Sequence, residues 1–135
     1  MAFQLEVEYD FDFLLLGISC HEKDYRLCWM LNKALQYGLE WTDALEIHFS
    51  HGPVCFPMFH YEMPEDLSSI YLIKNRVGSG ILIPELKQMD YLLKIGNDQD
   101  EHSKILKTIR KIPHVLGTFD VEVSRLKSKD HLIFE

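Results

Sequence analysis

The strongest constraint on the fold lies at the start of the chain, where apolar and polar residues alternate. From Phe3 to Phe13 every odd position is apolar, and every even position from Gln4 to Asp12 is polar. A period of two places successive side chains on opposite faces of a β-strand. The apolar run from Leu14 to Ile18 predicts that the chain then enters a central strand covered on both faces. A turn near Asp10 could divide the whole run into two strands.

The polar side of this alternation is acidic, with carboxylates at Glu6, Glu8, Asp10 and Asp12. Such a row can bind hard cations, but a straight strand holds its members roughly 6.5 to 7 Å apart, whereas calcium needs a loop that folds around it. We therefore interpret the row as a solvated face that protects an edge strand from unwanted pairing.

A first helix is predicted to follow this strand, from about Cys20 to Tyr37. Ser19 and Glu22 have the spacing of a capping box, and Gly38 is placed to end the helix in the left-handed conformation. One face of the helix carries an apolar stripe, made of Leu27, Leu31, Ala34 and Leu35.

The stretch from Ala44 to Arg76 predicts an antiparallel meander of three strands. It contains three apolar, aromatic-rich segments separated by turn-like sequences at 51–53 and 63–66. Pro57, inside the second segment, removes one donor from the hydrogen-bond ladder and so indicates an edge strand or a bulge.

The second half of the chain predicts strand, helix and strand. Val77 to Gly80 is a flexible break, Pro84 opens a short helical turn through Gln88, and a strand follows from Asp90 to Ile95. A capping box at Asp98 and Glu101 then opens a helix.

That helix must stop before Pro113, and residues 115–123 alternate as the last strand. Two readings of residues 125–135 stay open, namely a short strand at His131 to Phe134 or a frayed tail.

This order of elements predicts an α+β fold, a mainly antiparallel sheet with two helices packed on one face. The chain has 135 residues, of which 47% are apolar and 26% charged, so we expect residues 1–135 to form a single domain.

The net charge of −7 disfavours binding to nucleic acid or to an anionic membrane, and only Lys104 to Lys111 is locally basic. No apolar run reaches the roughly 20 residues that span a bilayer, and the acidic start does not fit a secretory signal. The three cysteines are odd in number and irregularly spaced, which predicts reduced thiols. We therefore expect a cytoplasmic protein.

One segment resembles a family signature. The sequence Ile83-Pro84-Glu85-Leu86-Lys87-Gln88-Met89-Asp90-Tyr91 is similar to the motif of the IPExxxVDY family of small bacterial proteins, with Met89 in place of valine. The resemblance also covers Phe13 to Ile18 and the following helix through Leu31-Asn32-Lys33. It implies a cytosolic bacterial protein and assigns no activity, cofactor or catalytic residue.

One group of residues and one single cysteine are candidates for metal binding and for catalysis, respectively. His48, His51, Cys55 and His60 are of the residue types that bind zinc. Pairing across the turn would put His48 near residue 56 and Cys55 on the opposite face, so we expect no metal and no cofactor. Cys20 at a helix start could be an activated nucleophile, but no orienting group stands nearby, and we expect an inert thiol.

The candidate binding residues are Arg76, Glu85, Asp90 and Tyr91, which lie around the resemblance segment. A structural interpretation competes with this one. Glu85 suits the first turn after Pro84, Asp90 can accept amides where the chain re-enters the sheet, and Arg76 would pair with Glu85 or Asp90.

No complete catalytic set is visible in the sequence, so catalytic residues stay unknown. The favoured function is a non-catalytic binding or protein-interaction module, expected to form a homodimer through an exposed strand. One alternative is an enzyme whose site assembles from distant residues such as His48, His60, Glu85 and Asp90. Another is a small-ligand sensor, because Asp90 to Val123 resembles half of an ACT-type domain.

Overall fold

The computed structural model describes residues 13–64, 68–96 and 98–134, so the alternating residues 3–12 lie outside the described part of the chain. Those ranges form an antiparallel sheet of six strands, together with two helices and a separate hairpin. The α+β fold predicted from the sequence is confirmed. In chain order the elements are β1 (Phe13–Ser19), α1 (Asp24–Leu35), β2 (Glu40–Phe49), β3 (Gly52–Glu62), β4 (Ser69–Lys74), β5 (Arg76–Val77), β6 (Gly80–Ile81), β7 (Tyr91–Gly96), α2 (Gln99–Arg110) and β8 (Gly117–Val121). The strands of the large sheet lie in the order β2-β3-β4-β7-β1-β8.

The centre of the sheet has a split β-α-β arrangement. β1 lies between β7 and β8 and is antiparallel to both, so α2 connects two strands that are parallel to each other on either side of β1. β4 and β1 flank β7 in the same way, and the hairpin of β2 and β3 extends the sheet. The central, doubly covered strand predicted for Leu14 to Ile18 is confirmed, because Leu15 and Leu16 are both fully buried.

The two faces of the sheet are covered differently. Leu27 of α1 and Ile105 of α2 belong to one core, which packs on the face that includes Leu16. The other face is covered by segments that contain no long helix, and Ile83 and Leu132 in these segments belong to the second core. Within the described ranges, no helix is long and apolar enough to span a membrane.

The prediction for the first helix is wrong at both ends. α1 begins at Asp24, and its N-cap is Lys23, whose side chain makes no capping hydrogen bond. Ser19 remains in β1, where its carbonyl accepts a hydrogen bond from the Leu116 amide at 2.8 Å. At the other end Gln36, with φ 59°, takes the left-handed position that was expected for Gly38.

The second capping box is confirmed in its main contact, because the Asp98 carboxylate accepts hydrogen bonds from the amides of Asp100 and Glu101. The meander is also confirmed. Pro57 lies opposite a bulge, since Thr42 pairs with Met58 while Leu45 pairs with Phe56.

Two irregular segments complete the fold. The break predicted at Val77 to Gly80 is a turn, in which Gly78 and Ser79 connect the two strands of the β5–β6 hairpin. At the C-terminus the chain forms 3-10 turns at Val123–Arg125 and Lys129–Leu132, neither a strand nor a frayed tail. Leu132 anchors this end because its side chain is fully buried.

Candidate functional site

Three of the four predicted binding residues line one cleft. Arg76, Asp90 and Tyr91 meet the loop that precedes α1 around a volume of about 530 Å³, which we call the cleft. Glu85 is not among its lining residues. The rest of the lining consists of Cys20, His21, Glu22, Lys23, Lys74, Val77 and Gly78.

A buried asparagine organises the wall of the cleft. The Asn75 side chain is fully buried, and its amide nitrogen donates to the carbonyls of Leu86 at 3.0 Å and Met89 at 2.9 Å. Its amide oxygen accepts from the Ile83 N–H at 2.9 Å. Asn75 therefore closes the resemblance segment against the end of β4. The signal for this role in the sequence is a polar residue directly after the apolar run of β4.

Asp90 and Tyr91 hold the loop in front of α1. The Asp90 Oδ2 accepts a hydrogen bond from the Cys20 amide at 2.8 Å, and the Tyr91 hydroxyl donates to the Glu22 carbonyl at 2.5 Å. Burial raises the pKa of Tyr91, so the hydroxyl keeps its proton for this bond. The distant Asp90 thus fixes the residues just before the helix, which is why the local capping pattern at Ser19 misplaced the helix start.

Arg76 forms neither of the two predicted ion pairs, with Glu85 or with Asp90. The Arg76 Nη1 donates to the Lys87 carbonyl at 2.9 Å. The Glu85 carboxylate accepts from the Ser128 N–H at 2.7 Å and from its hydroxyl at 2.9 Å. Partial burial would raise the pKa of Glu85, but hydrogen bonds from its own backbone N–H and from Ser128 lower it. Glu85 therefore joins the resemblance segment to the C-terminal turn.

The thiol in the cleft is not arranged as a nucleophile. Cys20 lies in the loop before α1 rather than in its first turn, and burial raises its thiol pKa. The neighbouring carboxylates of Glu22 and Asp90 raise this pKa further. Burial likewise raises the pKa of Cys28 to about 11, whereas Cys55 is exposed.

The histidines around the β2–β3 hairpin do not converge. His48 pairs with Pro53, so it lies on the same face as Cys55 rather than the opposite one, which corrects the expected register. The His51 ring contacts the Ser79 carbonyl, and the His60 ring contacts the Ser69 hydroxyl. In the described ranges, no group of three His, Cys, Asp or Glu residues could hold a metal ion.

The residues of the enzyme alternative also act in different places. Asp90 binds the Cys20 amide in the cleft, Glu85 binds Ser128, and His60 contacts Ser69 at the far end of the meander. His48 contacts Glu46 on the edge strand β2, at 3.7 Å between its Nε2 and the carboxylate. The structure thus does not bring this set together.

A second surface lies between the two helices. Trp29 is 61% exposed and borders a hollow of about 430 Å³ between α1 and the end of α2, which we call the groove. The Lys33 ammonium lies 5.1 Å from the centroid of the Trp29 ring, within cation–π range. Among the described residues that line the groove, none carries a carboxylate. The full lining is Trp29, Met30, Lys33, Ala34, Thr108, Lys111, Ile112 and Pro113.

The sequence contained a signal for this surface. The apolar stripe of α1 runs through Leu27 and Leu31, whereas Tyr25 and Trp29 lie four residues apart and off that stripe. Large aromatic side chains on the side of a helix that does not face the core indicate an interaction surface.

A half-buried lysine, which no pattern in the sequence indicates, lies on the second face of the sheet. The Lys94 ammonium donates to the Leu132 carbonyl at 2.7 Å and lies 4.0 Å from the centroid of the Phe134 ring. The rings of Phe13 and Tyr71 also lie within 6 Å of it. Burial lowers the pKa of Lys94 to about 8. This lysine fastens the C-terminal turn to the second face of the sheet.

A wider cavity of about 670 Å³ lies where the end of α1 meets the start of α2. Tyr37 and Tyr61 stack in its wall with ring centroids 5.0 Å apart, and the Tyr37 hydroxyl donates to the Glu101 carboxylate. The cavity therefore combines two aromatic rings with the charged side chains of Asp98, Glu101 and Lys104.

Comparison with known proteins adds no relative to these findings. No family model matches the chain, and a search of curated proteins found no significant match. Membership of the IPExxxVDY family therefore stays a prediction. The two segments that carry the resemblance do contact each other, since the Asp90 amide donates to the Ile18 carbonyl at 2.9 Å. A Cβ on Gly17 would lie 2.8 Å from the Met89 Sδ, so this glycine lets Met89 approach β1.

Proposed function

We propose that the protein is a non-catalytic protein-interaction module of the cytoplasm and that the groove is its binding surface. The observation that carries the proposal is Trp29, a large aromatic side chain left 61% exposed beside an apolar hollow. Tryptophan and tyrosine dominate the binding energy of protein interfaces, because they bury much apolar surface with few rotatable bonds.

The cleft gives less support to a binding function. Its conspicuous polar groups already serve the fold, since Asp90 and Tyr91 hold the loop before α1 and Arg76 binds the Lys87 carbonyl. A ligand there would have to compete with these hydrogen bonds. The polar residues of the signature are explained by structure, whereas the exposed aromatic residues of α1 are not.

Self-association through a strand is the part of the sequence-based proposal with the least support. β2 is an edge strand of ten residues, but it carries exposed charges at Glu40, Asp43 and Glu46. It is also interrupted by the bulge opposite Pro57. Charged residues and bulges on an edge oppose pairing with a second sheet.

A matched pair of tryptophans tests the proposal. Trp41 on β2 is 63% exposed, nearly the same as Trp29, but it is not among the residues that line the groove. The wild type, Trp29→Ala and Trp41→Ala would each be used as bait in lysate of the native cells, with bound proteins quantified by mass spectrometry. We expect a protein retained by the wild type and by Trp41→Ala and lost from Trp29→Ala. Equal retention by all three baits would refute the assignment of the groove.

A small-ligand sensor is the second candidate, and two observations favour it. The split β-α-β arrangement is the topology expected for an ACT-like domain, and the tyrosine-lined cavity between the helix ends is large enough for a metabolite. Thermal denaturation in the presence of a panel of amino acids and nucleotides tests this candidate. A compound that raises the melting temperature of the wild type but not of Tyr61→Ala would support the sensor. No shift with any compound of the panel would count against it.

A further inference from the structure

We propose that the groove binds an acidic peptide segment of another protein, in which a bulky aliphatic side chain is flanked by carboxylates. This inference rests on the proposed function and specifies the chemistry of its partner. Three observations support it. The groove has an apolar floor, its rim carries two lysines, and its described lining contains no carboxylate.

The floor of the groove selects an aliphatic side chain. Met30 and Ile112 are more than nine-tenths buried, and Trp29 and Pro113 also line the groove. A hollow of about 430 Å³ between two helices is suited to one or two large side chains of a peptide. This is the helix-groove mode of recognition, in which spaced apolar anchors carry most of the affinity.

The rim of the groove selects negative charge. Lys33 and Lys111 are exposed on its two sides, although the chain as a whole has a net charge of −7. The overall charge repels an acidic partner at long range, but at physiological ionic strength this field fades over about 8 Å. The short-range contacts with these two lysines therefore decide which charge the groove accepts.

The same lysines argue against a symmetric contact between the grooves of two copies of this chain. A two-fold symmetric contact through the groove would place the identical lysine-bearing surfaces against each other. Like charges opposed at an interface destabilise it. Nucleic acid is also disfavoured, because counterion release needs many phosphate contacts, and Lys33 and Lys111 are the only basic side chains among the described residues that line the groove.

Selection from a phage-displayed library of random dodecapeptides tests this inference without a known partner. Wild-type protein would be the immobilised target, and the enriched peptides would be synthesised and their Kd values measured by fluorescence anisotropy. We expect enriched peptides with an aliphatic residue between acidic ones. Trp29→Ala should weaken their binding at least about tenfold, while Trp41→Ala leaves it unchanged.

Charge exchange tests the rim. Lys111→Glu should weaken binding several-fold, and the same peptide with its glutamates replaced by lysines should bind this variant better than it binds the wild type. Lys87→Glu is the matched control, because it makes the same change in net charge on the segment that covers the other face of the sheet. Circular dichroism melts of all variants would show that each is folded.

The outcomes separate the two proposals. Peptides that depend on Trp29 but are not acidic, or that ignore Lys111→Glu, overturn the partner chemistry and leave the interaction module standing. Peptides that bind Trp29→Ala as well as the wild type, or a library that yields no enriched peptide, overturn the groove as a peptide site. Sedimentation of the same variants tests the remaining occupant: a dimer of the wild type that is abolished by Trp29→Ala would overturn the proposal and assign the groove to a second copy of this chain.

Discussion

The cleft and the groove differ in how the fold uses their side chains. Asp90 and Tyr91 in the cleft, and Asn75 beside it, each bond to backbone groups of another segment and so hold the chain together. In the groove the Trp29 side chain is mostly exposed, and the Lys33 ammonium lies over its ring. The comparison shows that the polar residues of a sequence signature can be accounted for by structure, while exposed aromatic residues remain available for a partner.

The largest effect on stability is expected at Asn75. Asn75→Ala removes three side-chain hydrogen bonds and leaves the carbonyls of Leu86 and Met89 and the Ile83 amide without this partner. The cost is about 3 kcal/mol, which lowers the melting temperature by about 10 °C in a domain of this size. Urea and thermal denaturation measure this loss. A shift of less than about 2 °C would mean that Asn75 does not organise the cleft.

Removing the Asp90 carboxylate should also lower the free energy of unfolding, by a smaller amount than Asn75→Ala. Asp90→Ala leaves the Cys20 amide without its acceptor and is expected to cost about 1 to 3 kcal/mol, again read from denaturation. Arg76→Ala is the internal control in the same cleft. Its single bond to the Lys87 carbonyl is exposed, so the loss should stay below about 0.5 kcal/mol. If both variants kept or gained stability, the cleft would become a functional site by the criterion of strained active sites.

Lys94 extends the comparison to the other face of the sheet. Because burial lowers its pKa from 10.5 to about 8, the folded protein loses this proton at a lower pH than the unfolded chain does. Between those two values the unfolded state binds more protons, so the free energy of unfolding should rise with pH relative to Lys94→Met. Carbon-13 NMR of labelled lysines would find one that titrates near pH 8. A Lys94 signal that titrates near 10.5 would show that the surrounding rings outweigh burial.

The thiols give a smaller, chemical contrast. Cys55 is exposed, while burial raises the pKa of Cys20 and Cys28, so iodoacetamide at neutral pH should modify one thiol per folded chain. Mass spectrometry after brief labelling measures this number. Cys55→Ser should abolish the fast reaction, and urea should expose the two slow thiols. Rapid modification of Cys20 in the folded protein would instead indicate an activated thiol in the cleft.

Local patterns predicted most of the sheet. The meander was found because its strands, turns and the proline that faces the bulge are all read within a few residues of sequence. The start of α1 was misplaced because its loop is fixed by Asp90, some seventy residues away. The end of the chain was missed for a similar reason, since Leu132 and Lys94 meet only after the sheet has formed.

The candidate site was predicted less well than the fold. The sequence drew attention to Arg76, Asp90 and Tyr91, and the structure places these three together in the cleft. The sequence predicted that Asp90 accepts a backbone amide, and the Cys20 amide is that donor. The sequence could not show which backbone groups Arg76, Asp90 and Tyr91 would bond to, because each bond joins segments that are separated along the chain. The groove depends on α1 and α2 lying side by side, which is information about packing that neither helix carries alone.

Photo-crosslinking in the native cells tests the central claim most directly. Trp29 and, in a separate variant, Trp41 would be replaced by the photoreactive p-benzoylphenylalanine, and crosslinked products would be identified after irradiation. Because the two tryptophans have nearly equal exposure, the comparison separates a binding surface from an aromatic residue that is merely accessible. We predict crosslinks to another protein from position 29 and none from position 41. Crosslinks from neither position, or equally from both, would contradict the claim that the groove is the surface through which this protein acts.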